Sequence, residues 1–356
     1  MRIAAFFACV LAVGACSTEP SQPMLTVDGS TDTGLGDAGS DTGNNVEPDA
    51  AVDAGSDAGS GPSNRLMVGM TVHLENNTFD DAYFAELEAT AAIFAAHGAH
   101  LTFEPRDEVV QAVRMRSDNV FARLEDAGHS FGSHTTFSAS SQSMFVLLAQ
   151  MRRNNLLMTV DHVEHASGAC PETLDWVAGL HDSGFTVSTG TTVNCLLSIP
   201  SEMRPAEYAD LVCHGATDAT CHRSYPSDID VAIHPWRAAS ASTWLTPDPS
   251  GSLVIITGRG TLDCLHEEDQ PGGAMGGDCT LAQDDLDLAL PDLDNAIAHI
   301  DSAKTNTFYW IWSYGRALDH TVLETFLDAV DERVAAGNVQ WNTIADMHAA
   351  FESRGE

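Results

Sequence analysis

From residue 65 onward the chain alternates two kinds of apolar pattern. Leu66 to Glu75 is a nearly continuous apolar run of strand length. Phe84, Leu87, Ala91 and Phe94 then recur at helical spacing, with Asp80 or Asp81 as the start signal and Gly98 as the stop. The segment HLTFEP, residues 100–105, reads as a second strand, and HSFGSH, residues 129–134, as a third, with a helix over Asn119 to Ala127 between them. Met144, Leu147, Leu148 and Met151 mark a further helix before a strand near Leu157 to His165. Pro171 opens a helix carrying Leu174, Val177 and Leu180, closed by Gly184, and FTVST follows. DVAIH (230–234), LVIIT (253–257) and TFYWIW (307–312) are the later strands, and helices near Val322 to Ala336 and Thr343 to Phe351 end the chain. Repeated strand–helix alternation predicts an α/β fold with a mostly parallel sheet. Periodicity does not say whether the sheet closes.

The first 64 residues lack this pattern. Arg2 gives a basic start, and Ile3 to Val13 is apolar over the length of a signal core, too short for a permanent span of about 20 residues. The run ends in Val13-Gly14-Ala15-Cys16, which resembles the lipobox of bacterial lipoproteins. The resemblance implies cleavage before Cys16, lipidation of its thiol and, with Ser17 next, an outer-membrane destination. An ordinary secreted chain with an incidental Cys16 is the alternative. Residues 17–64 are Gly, Ser, Asp, Thr, Ala and Pro with hardly any large apolar side chains, a composition that cannot offset its ordering entropy and predicts a disordered acidic tether. The expected organisation is a signal over 1–16, a linker over 17–64 and a folded domain over 65–356.

Charge narrows the partners. The chain has a formal net charge of −35. Nine of its 51 acids fall in the tether and only Arg2 among its bases lies outside the domain, leaving the domain near −27. Nucleic acid and anionic membrane surfaces need basic patches, so neither is an expected partner, and the lipid would be the membrane anchor. Six cysteines remain after Cys9 and Cys16, an even set suited to an oxidising compartment. Sequence proximity suggests Cys213–Cys221 and Cys264–Cys279, with Cys170–Cys195 left over. No CxxC occurs, which argues against a thiolate zinc site.

In a parallel α/β fold, function sits at the carboxyl ends of the strands. Three such ends carry histidine. His73 and Glu75 are two apart on a strand and project together, an imidazole and a carboxylate suited to zinc or another divalent metal. His134 closes the third strand, and His162 and His165 follow the fourth. His234, in AIHPWR, also ends an expected strand, as an acid toward a leaving amine, a cleft wall or a packed histidine. Trp236 and Arg237 beside it, and Trp244, are placed to meet a sugar, whereas Trp176, Trp310 and Trp312 fit the core.

The order of these features resembles the polysaccharide deacetylase (NodB-homology) family, of distorted (β/α) barrel fold. EDAGHSFGSHT (125–135) is similar to the family's second motif, which implies His134 as a metal ligand. ASGACPETLDWVAGLHDSGF (166–185) looks like the third, and TFYWIWSYGR with the helix and strand after it looks like the closing elements. A literal TFDD stands at Thr78 to Asp81, but Asp80 and Asp81 read first as helix-start carboxylates, favoured by the helix dipole, with catalysis as the alternative. His73-x-Glu75 is similar to the His-x-acid pattern of other superfamily members. Ser138 stands where the family's second metal histidine belongs, with His165 as a substitute, and Ser313 and Tyr314 stand where the late catalytic histidine belongs. The resemblance implies a metal-dependent hydrolase acting on C–N bonds of an N-acetyl carbohydrate. His73, His134 and His165 would hold the ion, Glu75 would be base or ligand, and His234 the acid. The rival expectation is a catalytically degenerate barrel that binds a glycan or a surface partner. A glycosidase needs a second acid to pair with Glu75, and no convincing one is apparent.

Overall fold

A computed structural model of the protein describes residues 65–75, 78–135, 143–156, 163–214, 219–269, 279–314 and 319–356. The signal, Cys16, the tether, Ser138 and His162 lie outside the described residues. Ten strands appear in chain order: β1 (Leu66–Leu74), β2 (Thr102–Pro105), β3 (Ser130–Phe131), β4 (Ser133–His134), β5 (His165–Ser167), β6 (Val187–Thr189), β7 (Trp236–Ala238), β8 (Leu253–Ile255), β9 (Thr307–Tyr314) and β10 (Val339–Trp341).

Eight of them join into one circuit. β1 pairs in parallel with β9 along its length, and on its other edge with β10 at the start and β2 at the end. β2 pairs with β3, and β3 and β4 are one strand interrupted at Gly132. β4, β5, β6 and β8 then follow, all parallel. Beyond β8 the chain reaches back to β9: Arg259 donates its N–H to the Tyr309 carbonyl, Ile311 donates to the Gly260 carbonyl, and Thr261 bridges Ile311 in parallel. The ring of strands is therefore a distorted (β/α) barrel, with β10 and the antiparallel β7 added at its margins.

Period-two alternation sorts the side chains. On β1 and β9, Leu66, Val68, Met70, Val72, Phe308, Trp310 and Trp312 face the surrounding helices. Met67, Tyr309 and Ile311 face inward, with Val187, Val254 and Ile256. Ile344, Met347 and Phe351 of the last helix, Ile344–Arg354, complete that inner cluster at the amino ends of the strands. A Cβ on Gly69 would come within 2.7 Å of the Asn342 carbonyl oxygen and 2.9 Å of Met347 Cε, so only glycine lets this helix close the barrel floor. The upper interior is polar instead: Thr102, Glu104, His165, Ser167 and Thr189 are all buried. Both faces of the barrel strands are thus covered, which is why they read as unbroken apolar runs.

Several expectations need correction. DVAIH is not a strand: Asp228 caps a short helix, Ile229–Ala232, and β7 begins only after Pro235. A short apolar run does not by itself distinguish helix from strand. The helix expected at Pro171 starts later, at Trp176–Asp182, where the Asp175 side chain accepts from Ala178 N–H. Among helices of eight or more described residues, Asp107–Arg114 and Gln283–Ala298 went unpredicted. The second contains Pro291, which reads as a breaker, yet Leu286, Ala289, Leu293 and Ala296 give it a buried stripe. All three expected disulfides are present: Cys170–Cys195, Cys213–Cys221 and Cys264–Cys279. No helix of the described residues is long and apolar enough to cross a membrane.

Candidate metal centre

The carboxyl end of β1 delivers the first two groups. The inward alternation that places Met67 in the barrel also brings His73 inward, and Glu75 follows at the same face. β4 brings His134 beside them. The His73 and His134 rings stack with centroids 3.9 Å apart and planes 21° apart. His134 Nε2 lies 3.8 Å from Glu75 Oε2. One ligand atom from each of His73, Glu75 and His134 falls within 4.8 Å of the other two. Two imidazoles and a carboxylate converging in this way suit a divalent ion with further positions left open.

Behind the triad lies Glu104, from β2 and fully buried. His73 Nε2 is 3.1 Å from Glu104 Oε2, and Ser167 Oγ donates to the same oxygen. Thr189 Oγ1 donates to Oε1 at 2.6 Å, and His165 Nε2 stands 3.5 Å from it. Ser167 also meets His134, with its Oγ 2.7 Å from Nδ1. Burial alone pushes the Glu104 carboxyl up, but the hydrogen bond and charge of His73, the charge of His165 and the Ser167 bond outweigh it and hold it below the usual range. His134 is driven well below the ordinary histidine value by burial first, then by the positive charges of His73, Arg106 and His222. A neutral imidazole is the form that ligates a metal.

Glu75 is held from the other side by Arg106, whose Nη1 donates to Oε2 at 3.3 Å while Nε pairs with Glu108 at 3.0 Å. Arg106 begins the helix Asp107–Arg114 directly after β2. The Tyr83 phenol is also near: burial foremost, then Tyr314 and Glu75, raise its pKa. Ser313 sits opposite His73 in the β1–β9 register.

The other expected site residues are distributed differently. His165 is buried with its Nε2 turned toward Glu104 and is not one of the three converging ligands. Gly132 is opposite it, and a Cβ there would collide with the His165 ring. Asp80 caps the helix Asp81–Ala96, accepting from Tyr83 N–H at 3.0 Å, and Asp81 pairs with Arg116 on the surface. Both act as the helix-start carboxylates they were read to be.

His234, Trp236 and Arg237 lie at the opposite end of the barrel. His234 Nδ1 is 3.3 Å from the Thr305 carbonyl, and Thr307 N–H donates to the Ile233 carbonyl. Thr307 is level with Met67, and Ser313 with His73, so about 20 Å of strand separates the two ends. His234 is held below its ordinary pKa, first by burial and then by the charge of Lys304. It lines a cavity of about 440 Å³ with Trp236, Arg237, Lys304 and Phe351. Trp236 and Trp244 are buried with their rings stacked, Trp236 Nε1 donating to the Trp244 carbonyl. Arg237 binds Glu352 and the Glu356 carbonyl and covers the Phe351 ring. Its work is to fasten the last helix. The carboxyl-end rule does not reach this segment because β7 runs antiparallel to β8.

Sequence reasoning missed Glu104, Arg106 and Ser167. Glu104 did carry a signal: a lone acid in an apolar strand covered on both faces must find donors or a cation inside. Ser167 and Arg106 carried none, being ordinary polar residues at strand ends.

No family profile matches the sequence, and no curated protein matches it. Solved structures do. A Mycobacterium smegmatis protein described as a polysaccharide deacetylase superposes with a TM-score of 0.51 at 13% identity, over 83% of this chain and 93% of its own. PuuE allantoinase superposes with a TM-score of 0.52 at 12% identity, over 86% of this chain and 98% of its own. At such identities the likeness speaks to architecture alone, and it settles that architecture: the chain has the distorted barrel fold of polysaccharide deacetylases.

Proposed function

We propose that this protein is a metal-dependent hydrolase of the deacetylase type, acting on an N-acetylated carbohydrate and displayed from the cell envelope by a lipidated Cys16. The observation that carries the reading is the convergence of His73, Glu75 and His134 at the end of the barrel where this architecture places its chemistry. The donor set fits a divalent ion such as zinc: each imidazole has one nitrogen engaged behind it, by Glu104 or Ser167, and keeps the other for a ligand. Bound there, the ion would supply a Lewis acid for a carbonyl oxygen and a lowered pKa for water.

The chain's own residues do the rest. Glu75 contributes negative charge to the triad as its third ligand, and Arg106 fixes that carboxylate from the far side. Burial of His73, His134 and Glu104 excludes water from behind the site, so the open side is the one where Glu75 is partly exposed. The polysaccharide deacetylase neighbour supports a carbohydrate acetamide as substrate class. The allantoinase neighbour has another substrate, so the fold by itself does not select carbohydrate.

The second reading is a degenerate barrel that binds a glycan without turnover. Ser313 favours it, because it occupies the β9 position beside His73 where the family resemblance calls for histidine. Acetate release from chitin oligosaccharides and peptidoglycan fragments separates the two. Release that needs added zinc, and stops with chelator, is expected. Glycan binding without release, indifferent to chelator, would overturn the enzyme reading in favour of the second.

A further inference from the structure

Glu104 and Ser167 make a connected unit behind the triad, and the hydrogen count of that unit is determined by chemistry. A carboxylate accepts only. Ser167 has a single hydroxyl proton, and it is donated to Glu104 Oε2. Its oxygen must therefore accept from His134, 2.7 Å away, which puts a proton on His134 Nδ1 and leaves Nε2 bare. His73 Nε2, 3.1 Å from the same carboxylate oxygen, must likewise be the donor, which leaves Nδ1 bare. Thr189 donates to the remaining oxygen, so the carboxylate has donors on both sides although it is wholly buried.

We infer that Glu104 is a positioning residue that sets the tautomer and orientation of both candidate metal-ligating histidines, His73 directly and His134 through Ser167. One buried carboxylate thus serves two rings from two different strands. The bare nitrogens are His73 Nδ1 and His134 Nε2, and His134 Nε2 is the atom that faces Glu75. The arrangement explains why a charge is kept in the barrel interior at all: unpaired, it would be strongly unfavourable, and with three donors it becomes a fixed template. Carboxylate–histidine pairs behind a metal have this effect on ligand orientation and basicity. The inference deepens the proposed metal site and, in its metal arm, rests on that reading.

Its test reads tautomers in the metal-free full-length protein by long-range proton–nitrogen NMR of ¹⁵N-histidine, at a pH where the rings are neutral. The wild type is expected to show His134 protonated at Nδ1 and His73 at Nε2. Ser167→Ala removes the hydroxyl that links His134 to Glu104, along with its 3.4 Å contact to His73 Nε2, but leaves the direct Glu104–His73 pair in place, so His134 should pass to a mixture of tautomers while His73 keeps Nε2–H. Glu104→Ala should release both rings. If Glu104→Ala fails to fold, Ser167→Ala still decides. Opposite tautomers in the wild type, or a His134 unchanged by Ser167→Ala, would overturn the inference. Zinc titration of the same proteins should show affinity reduced about 10–100-fold in each variant. A wild type that binds no zinc would sink the proposed function, while the tautomer assignment would stand or fall on the spectra.

Discussion

Glu104 and His165 share the interior of the barrel with no room to spare. Both are buried, and the strand across from His165 approaches closely enough that position 132 admits no side chain. Gly132→Ala would push against the ring from a backbone held by hydrogen bonds: its N–H to the Phe103 carbonyl and its carbonyl to Asn155 Nδ2. Overpacking of this kind costs about 1–3 kcal/mol. Urea denaturation should show that loss, and an unchanged midpoint would mean the interior is looser than described. At this scale the sequence disclosed the residues that differ from their surroundings. His73 and Glu75 were legible because a two-residue spacing at the end of an apolar strand fixes one face. Glu104 needed the third dimension: nothing along the chain shows that donors from β1, β5 and β6 meet on it.

Helices report on their neighbours through their ends. Directly after the helix Asp81–Ala96, His97 meets the helix His320–Ala335, with Nδ1 2.7 Å from Asp331 and Nε2 3.0 Å from Glu324. Burial works against a charge on this ring, but the hydrogen bonds to Asp331 and Glu324, and then their charges, prevail and raise its pKa. The sign follows from that shift. A raised folded-state value means that protonation favours the folded state, so this stabilisation is complete below about pH 6.5 and is lost as pH rises through the higher folded value. Denaturation midpoints measured from about pH 5 to about pH 9 should fall with pH through that window in the wild type, and less steeply in His97→Ala. Equal slopes in both proteins would contradict the assignment. Elements with strong periodicity were legible, as in Phe84, Leu87, Ala91 and Phe94. The helix Gln283–Ala298 was not, because an internal proline and a run of acids outweigh, in sequence, a stripe that only packing reveals.

Across the whole molecule, the two ends of the barrel have different tasks. The amino end is closed by Ile344, Met347 and Phe351 and clamped by Arg237, while the carboxyl end gathers the polar groups. Cys170–Cys195 ties the segment just after β5, next to Ser167, to the turn after β6. Replacing both cysteines with alanine should cost about 2–4 kcal/mol, a typical value for a native crosslink. Equilibrium denaturation under non-reducing conditions would check this, and a loss near zero would mean the loop is fixed by other contacts. The α/β alternation and the cysteine pairing by proximity were both legible at this scale. Barrel closure was not, since it depends on three backbone contacts between the chain after β8 and β9 that leave no periodic trace. The place of His234 was hidden for a related reason: a strand-end rule locates a residue only when the segment is a parallel strand, and this one is a helix leading into an antiparallel strand.

The convergence of His73, Glu75 and His134 on a divalent ion is the central claim, and metal content tests it most directly. The full-length protein would be purified without chelator, repleted with zinc, desalted and analysed for bound metal beside His134→Ala and Glu75→Ala, with circular dichroism to confirm folding. About one ion per wild-type chain, lost in both variants, is the predicted result. A folded wild-type protein that remains metal-free after repletion would contradict it.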